Sequence, residues 1–232
     1  MKTLIGSIVI CLWAISSLQS ATLIGNVLGN GTGDGEIRDF NASGLQLGGL
    51  TATVLGVADR SATDDEVRVI YKFELPTISG GETFQSAQLN YNLTNFFGTP
   101  FSDLDIIYFE PTATTVETSD YNDVTNAVTF ASVLTPGSST GAKTLSGSSL
   151  DTAIADAYTA SRTHVAFRFQ YQNFAPGNAN NNEYRLRGYE FDNGASTFLQ
   201  ITTTPIPEPS TFALVLLSSV ALIWLRRNRP NY

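Results

Sequence analysis

A period of two runs through the middle of the chain. In residues 66–75, Val67, Val69, Tyr71, Phe73 and Leu75 alternate with Glu66, Arg68, Lys72 and Glu74, and only Ile70 breaks the pattern. This predicts a strand with one buried face. Residues 88–93 repeat the pattern, with Leu89, Tyr91 and Leu93 set against Gln88, Asn90 and Asn92. In residues 164–171, Val165, Phe167, Phe169 and Tyr171 oppose His164, Arg168 and Gln170. Further strands are predicted over 50–57, 104–109, 184–191 and 198–203. Turn signals such as Ser79-Gly80-Gly81, Pro136-Gly137, Pro176-Gly177 and Asp192-Asn193-Gly194 separate them. One segment has helical spacing: Leu150, Ala153, Ile154, Ala157 and Tyr158 share a face, with Ser148 as cap and Asp151 three residues on.

Many half-buried strands and one short helix predict an all-β fold, an antiparallel β-sandwich of the jelly-roll kind. Alternate residues of both sheets would fill its core, and the 14 Phe and 9 Tyr can supply them. No repeat of 20 to 50 residues and no long linker divides the middle, so 21–204 reads as one domain.

The two ends follow a different pattern. Met1-Lys2-Thr3 precedes an apolar run over residues 4–15, and Ser16-Ser17-Leu18-Gln19-Ser20-Ala21 follows. A charged start, an h-region of about 12 residues and small residues after it make 1–20 a secretory signal peptide. Cys11, the single cysteine, would leave with it, so the exported body would be stabilised by its core without disulfides. At the other end, Pro207-Glu208-Pro209 leads into an apolar stretch over 212–225, closed by Arg226, Arg227 and Arg229. At about 1.5 Å per residue these 14 residues reach roughly 21 Å, short of the roughly 30 Å hydrocarbon core. The stretch therefore predicts a marginal transmembrane helix, with Trp224 at the interface and the arginines as a cytoplasmic stop signal. That orientation places the body outside the membrane.

Charge sharpens the division. The chain carries 13 Lys plus Arg against 21 Asp plus Glu, a net charge of −8. Without Lys2, the three tail arginines and Glu208, the body holds 9 basic and 20 acidic residues. An acidic body has no electrostatic footprint for a phosphate backbone, so nucleic acid is not an expected partner.

The tripartite ending resembles the PEP-CTERM sorting signal of Gram-negative bacteria. The match runs through Ile206, Pro207-Glu208-Pro209, Ser210-Thr211, the 212–225 helix and the arginine-rich tail, with Phe212 where that family often has Trp. The resemblance implies recognition by an exosortase, a membrane cysteine protease, near Pro207, Glu208 and Pro209. It also implies passage through the secretion machinery, a transient membrane intermediate, and delivery to the cell surface or the extracellular polysaccharide matrix. The body resembles DNRLRE (disaggregatase-related) domains and carbohydrate-binding sandwiches near them. The carrying residues are the run from Arg68 to Leu75, Ser86-Ala87-Gln88-Leu89, the 150–158 helix and Phe198-Leu199-Gln200-Ile201. That likeness implies a sandwich that contacts sugar. Both tryptophans, Trp13 and Trp224, lie in the apolar ends.

Candidate chemistry in the body is sparse. His164 is the only histidine; it sits in a regular strand with no nucleophile motif nearby, and reads as an exposed strand residue. Gly29 to Gly35 lacks a following apolar helix and reads as a flexible loop. Asp34, Glu36 and Asp39, and separately Asp64, Asp65 and Glu66, offer oxygen ligands that suit Ca²⁺, but without EF-hand spacing they read as solvated acidic loops. No cofactor is assigned. Asp103, Asp105 and Glu110 could offer a carboxylate pair for glycoside hydrolysis, although no partner can be placed. Tyr184, Arg185, Arg187, Tyr189 and Phe191, after Asn178, Asn180, Asn181 and Asn182, could contact sugar, and read instead as a core strand with a solvated basic face. The expected function is therefore a non-enzymatic exported surface or matrix protein. The alternative is a carbohydrate-binding module for exopolysaccharide, and behind it a glycan-active hydrolase.

Overall fold

The computed structural model describes residues 20–28, 32–40, 44–60, 65–173, 182–206, 218–220 and 223. The predicted signal peptide up to Gln19, the sorting residues Pro207, Glu208 and Pro209, and the stop signal Arg226, Arg227 and Arg229 lie outside them. Within the 212–225 segment, residues 218–220 and 223 are helical. Among the described residues no helix is long and apolar enough to cross a membrane.

The chain forms two compact units. Among the described residues, the smaller takes in 20–21, 78–84, 203–206, 218–220 and 223. In it Thr203 Oγ1 donates to Glu82 Oε2 at 2.9 Å, and the Ile206 amide donates to Gly81 O at 2.6 Å. The larger unit, residues 22–77 and 85–202, carries most of an antiparallel all-β fold. The elements of the chain are β1 (Ala21–Asn26), β2 (Asp34–Phe40), β3 (Gly44–Gly48), β4 (Val54–Arg60), β5 (Asp65–Glu74), β6 (Glu82–Phe97), β7 (Leu104–Phe109), β8 (Val128–Leu134), β9 (Gly141–Ser146), α1 (Ser148–Thr159), β10 (His164–Tyr171), β11 (Asn182–Arg187) and β12 (Phe198–Pro205).

β5 organises the larger unit. Val69 pairs with Glu36 of β2 and with Phe169 of β10, so those two strands take opposite edges. Val67 pairs with Arg38 of β2 and with Ala58 of β4. β4 and β10 therefore leave the same edge of β5 and diverge. One branch continues through β7 to β8; the other runs through β11, β6 and β12 to β1. The branches face each other through aromatic rings. Tyr91 on β6 meets Phe169 on β10 edge-on at 5.1 Å, and Tyr184 on β11 lies 5.6 Å from Tyr171 on β10. Tyr71, Phe73, Phe167 and Tyr108 add further edge contacts at 5.5–5.8 Å to this sandwich-like core.

The outward face of β5 differs from the expectation. The sequence predicts one buried face, yet Ile70 is buried and Lys72 fully so. Ile37, Ile70, Phe109, Val116, Tyr121 and Ala166 form a second apolar cluster there. The segment after β7 folds back over β5 and β10, and the charges on this face hold it down. Lys72 Nζ donates to the carbonyls of Ala113 and Thr115 and pairs with Asp120. Arg168 donates to the carbonyls of Asp120 and Asp123, and Arg68 to that of Tyr121. The break at Ile70 is the one trace of this cover in the sequence.

Two element boundaries also differ. The predicted 184–191 strand ends at Arg187, because Tyr189–Phe191 turns into a 3-10 helix. The 50–57 strand begins only at Val54, after a turn in which the Ala52 amide bonds Gly49 O.

Candidate functional site

β2 is the first surprise. Asp34 and Glu36 belong to a strand and not to a solvated loop, and both are buried. Their alternation with Ile37 points them toward the gap between the two branches. There Asp34 Oδ2 accepts the Tyr189 amide at 2.7 Å, and Glu36 Oε1 accepts the Gly56 amide at 2.7 Å. Tyr71 adds a third tie, its hydroxyl donating to Arg187 O. The carboxylates thus staple β2 to the β4–β11 branch. Asp34 Oδ1 and Glu190 Oε2 are buried with no hydrogen-bond partner among the described residues. Burial, and then the charge of Glu190, pushes the Asp34 pKa up to about 7.

The carboxylates weighed for Ca²⁺ do not converge on one point among the described residues. Glu36 is paired to Arg38 at 2.7 Å, and Glu66 binds Arg68 and the Tyr121 hydroxyl. Asp65 and Glu66 are buried in β5. Asp64 lies outside the described residues. Among the described residues no group of three His, Cys, Asp or Glu side chains could hold a metal ion.

Asp105 and Glu110 do not come together as a hydrolytic pair. Asp105 lies outward on β7, where it accepts the Ser132 amide at 2.8 Å and supports a β8 residue with φ of 52°. Burial, and after it the charge of Asp103, pushes its carboxyl upward. Glu110 has the opposite parity. Five residues of extended chain set it roughly 16 Å away, against the roughly 5–9.5 Å of paired glycosidase carboxylates. His164 is half-buried, not exposed, with Nδ1 3.0 Å from Thr163 Oγ1; burial and the Lys72 charge lower its pKa.

On β11, Tyr184 and Leu186 are buried as the alternation predicts. The opposite face is not a free basic one. Arg185 pairs with Glu183 at 2.9 Å and lies over the Phe97 ring, while Arg187 lies over Phe191 and 3.7 Å from Asp192. Asn182 is buried and accepts the Thr99 amide; Asn178, Asn180 and Asn181 lie outside the described residues.

A groove of about 710 Å³ opens elsewhere, between α1 and the start of β8. Its floor is Tyr108 and Glu110. Arg162 Nε donates to Glu110 Oε2 at 2.7 Å, and Asn126 Nδ2 donates to the same oxygen at 3.0 Å. One wall is Asn126, Ala127 and Val128. The other is the stripe Ser149, Thr152, Ala153, Asp156 and Ala160. These residues recur every three or four positions, so the helix lines them up along one side. The helical spacing that marks the apolar stripe of α1 carries this second stripe as well. α1 itself is anchored differently from the expectation. Gly147, not Ser148, is the N-cap, with no side-chain cap, and Asp151 Oδ1 accepts the Ala87 amide at 2.8 Å.

No protein-family model and no curated protein matches this chain.

Proposed function

We propose that this chain is a non-enzymatic exported protein of the cell surface or extracellular matrix of a Gram-negative bacterium. Its body crosses the inner membrane behind the 1–20 signal peptide. The 212–225 helix then holds it briefly, until an exosortase acts near Pro207, Glu208 and Pro209. The observation that carries this reading is the order of three parts in the tail: the proline–glutamate–proline handle, a short apolar stretch and the arginines at 226, 227 and 229. For the body we propose a jelly-roll-like sandwich, a reading supported by the two branches that diverge from β5 and meet through Tyr91 and Phe169.

Mass spectrometry of the protein from its native host tests the sorting step. Mature chains are expected to begin after Ser20 or Ala21 and to lack the tail beyond the handle. In a strain without exosortase, the tail should persist in the membrane fraction. Intact residues 206–232 on mature protein from a strain with active exosortase would overturn the proposal.

A second reading, a binding module for matrix polysaccharide, is favoured by the groove beside α1. A hydrolase draws no comparable support, because Asp105 and Glu110 are each committed to other partners.

A further inference from the structure

Building on the polysaccharide-binding reading, we propose that the groove between α1, Glu110 and the start of β8 is a saccharide site that excludes negatively charged sugars. Four observations lead there. First, its volume of about 710 Å³ falls within the roughly 300–1,000 Å³ of small-ligand sites. Second, the rim offers hydroxyls and a carboxylate. Ser149, Thr152 and Asp156 are exposed, and none has a side-chain hydrogen bond among the described residues. Solvent satisfies such exposed groups, and sugar hydroxyls could replace it at little cost.

Third, the floor is built in advance. Glu110 is fixed by Arg162 and Asn126, and the Tyr108 hydroxyl reaches Ala153 O and Glu110 Oε1 only at 3.3 and 3.4 Å. Both distances are long for an O–H donor, whose usual separation is about 2.8 Å. Tyr108 is itself buried, so these contacts set the base of the groove. Fourth, the charge is one-sided. The lining contains Glu110 and Asp156 and no Lys, Arg or His. Arg162 compensates Glu110, which leaves Asp156 to repel an incoming carboxylate. Ala127, Val128 and Ala160 give apolar surface for the C–H faces of a sugar ring.

The test is calorimetric titration of the purified protein with neutral, amine-bearing and uronate tetrasaccharides at up to millimolar concentration. Neutral and amine-bearing sugars are expected to bind, and uronates are not. Thr152→Tyr, on an exposed helical position, puts a ring into the groove and should weaken binding by about tenfold or more, the scale of one lost central contact. Its unfolding transition should match that of the parent chain. Binding that survives Thr152→Tyr, or uronate that binds as tightly as neutral sugar, overturns the groove while leaving polysaccharide binding elsewhere intact. No binding of any of the three overturns both the groove and the polysaccharide-binding reading.

Discussion

Lys72 Nζ lies 2.7 Å from Asp120 Oδ2, and the two side chains are 0% and 4% exposed. The carbonyls of Ala113 and Thr115 take the other two ammonium protons. All three donors of a buried charge are therefore satisfied, two of them by the backbone of the segment that crosses β5. The pair fastens that segment to the sheet and fixes where it lies.

Replacing one partner should expose this dependence. Lys72→Met leaves the Asp120 carboxylate buried without its counter-charge, and should destabilise the protein by about 3–5 kcal/mol. Lys72→Met with Asp120→Asn removes both charges while the new amide can still accept the Glu117 N–H that Asp120 now holds. The double variant should recover most of the loss. Urea unfolding of the parent, both single variants and the double variant measures the coupling; equal losses in Lys72→Met and the double variant would refute it.

Asp34 gives a pH dependence with a definite sign. Its pKa is pushed from 3.8 in the open chain to about 7 in the fold. Between those values the folded state binds more protons than the unfolded one, so this group's contribution to stability falls as pH rises from about 4 to about 7. The slope can reach about 1.4 kcal/mol per pH unit. Asp34→Asn keeps an acceptor for the Tyr189 amide and removes the titrating group. Urea titrations at pH 5 and pH 8 should show the difference between Asp34→Asn and the parent moving in the variant's favour as pH rises. A constant difference between the two chains would remove the claim.

The part of the fold that can be read from the sequence is the part with a strong apolar beat. β10 spans His164–Tyr171 and β7 spans Leu104–Phe109, both with the bounds the sequence predicts. β3 and β9 escape prediction, and their sequences explain why: Gly-Leu-Gln-Leu-Gly and Gly-Ala-Lys-Thr-Leu-Ser carry little β propensity. Pairing supplies what propensity lacks, as where Leu145 meets Leu89 and Lys143 meets Tyr91 on β6. β2 is hidden for another reason. Asp34, Gly35 and Glu36 look like a loop, and only the distant amides of Tyr189 and Gly56 make their burial tolerable. The groove is half legible, since the helical spacing reveals α1 but its neighbours Glu110 and Asn126 are brought beside it by tertiary packing alone.

Gly188 sits where chain crossings leave no room. A Cβ there would collide with the carbonyl oxygen of Ala52, and its amide already bonds Thr53 O at 3.0 Å. The obstacle is backbone, so it cannot rotate away. Gly188→Ala should cost about 1–3 kcal/mol through forced backbone shifts, and should also disturb the neighbouring Tyr189 amide that Asp34 holds. Thermal unfolding beside Gly137→Ala, whose added Cβ meets nothing within 4 Å, separates crowding from any general effect of losing a glycine. Similar losses for both variants would count against the steric reading.

Asp151 links the groove to the sheet. Its carboxylate takes the Ala87 amide on β6, so the first turn of α1 is tied to a strand and not to its own N-terminal amides. Asp151→Ala leaves the amide of buried Ala87 without its partner and should cost about 1–3 kcal/mol. Asp151→Asn retains an acceptor and should cost less. Because Ser149 and Thr152 stand on the same turns, loosening this tie should also weaken saccharide binding by the groove in Asp151→Ala, although Asp151 does not line it. Hydrogen exchange over residues 148–153 supplies the control. If protection there is unchanged in Asp151→Ala, the carboxylate does not position the helix, and the predicted loss of binding has no cause.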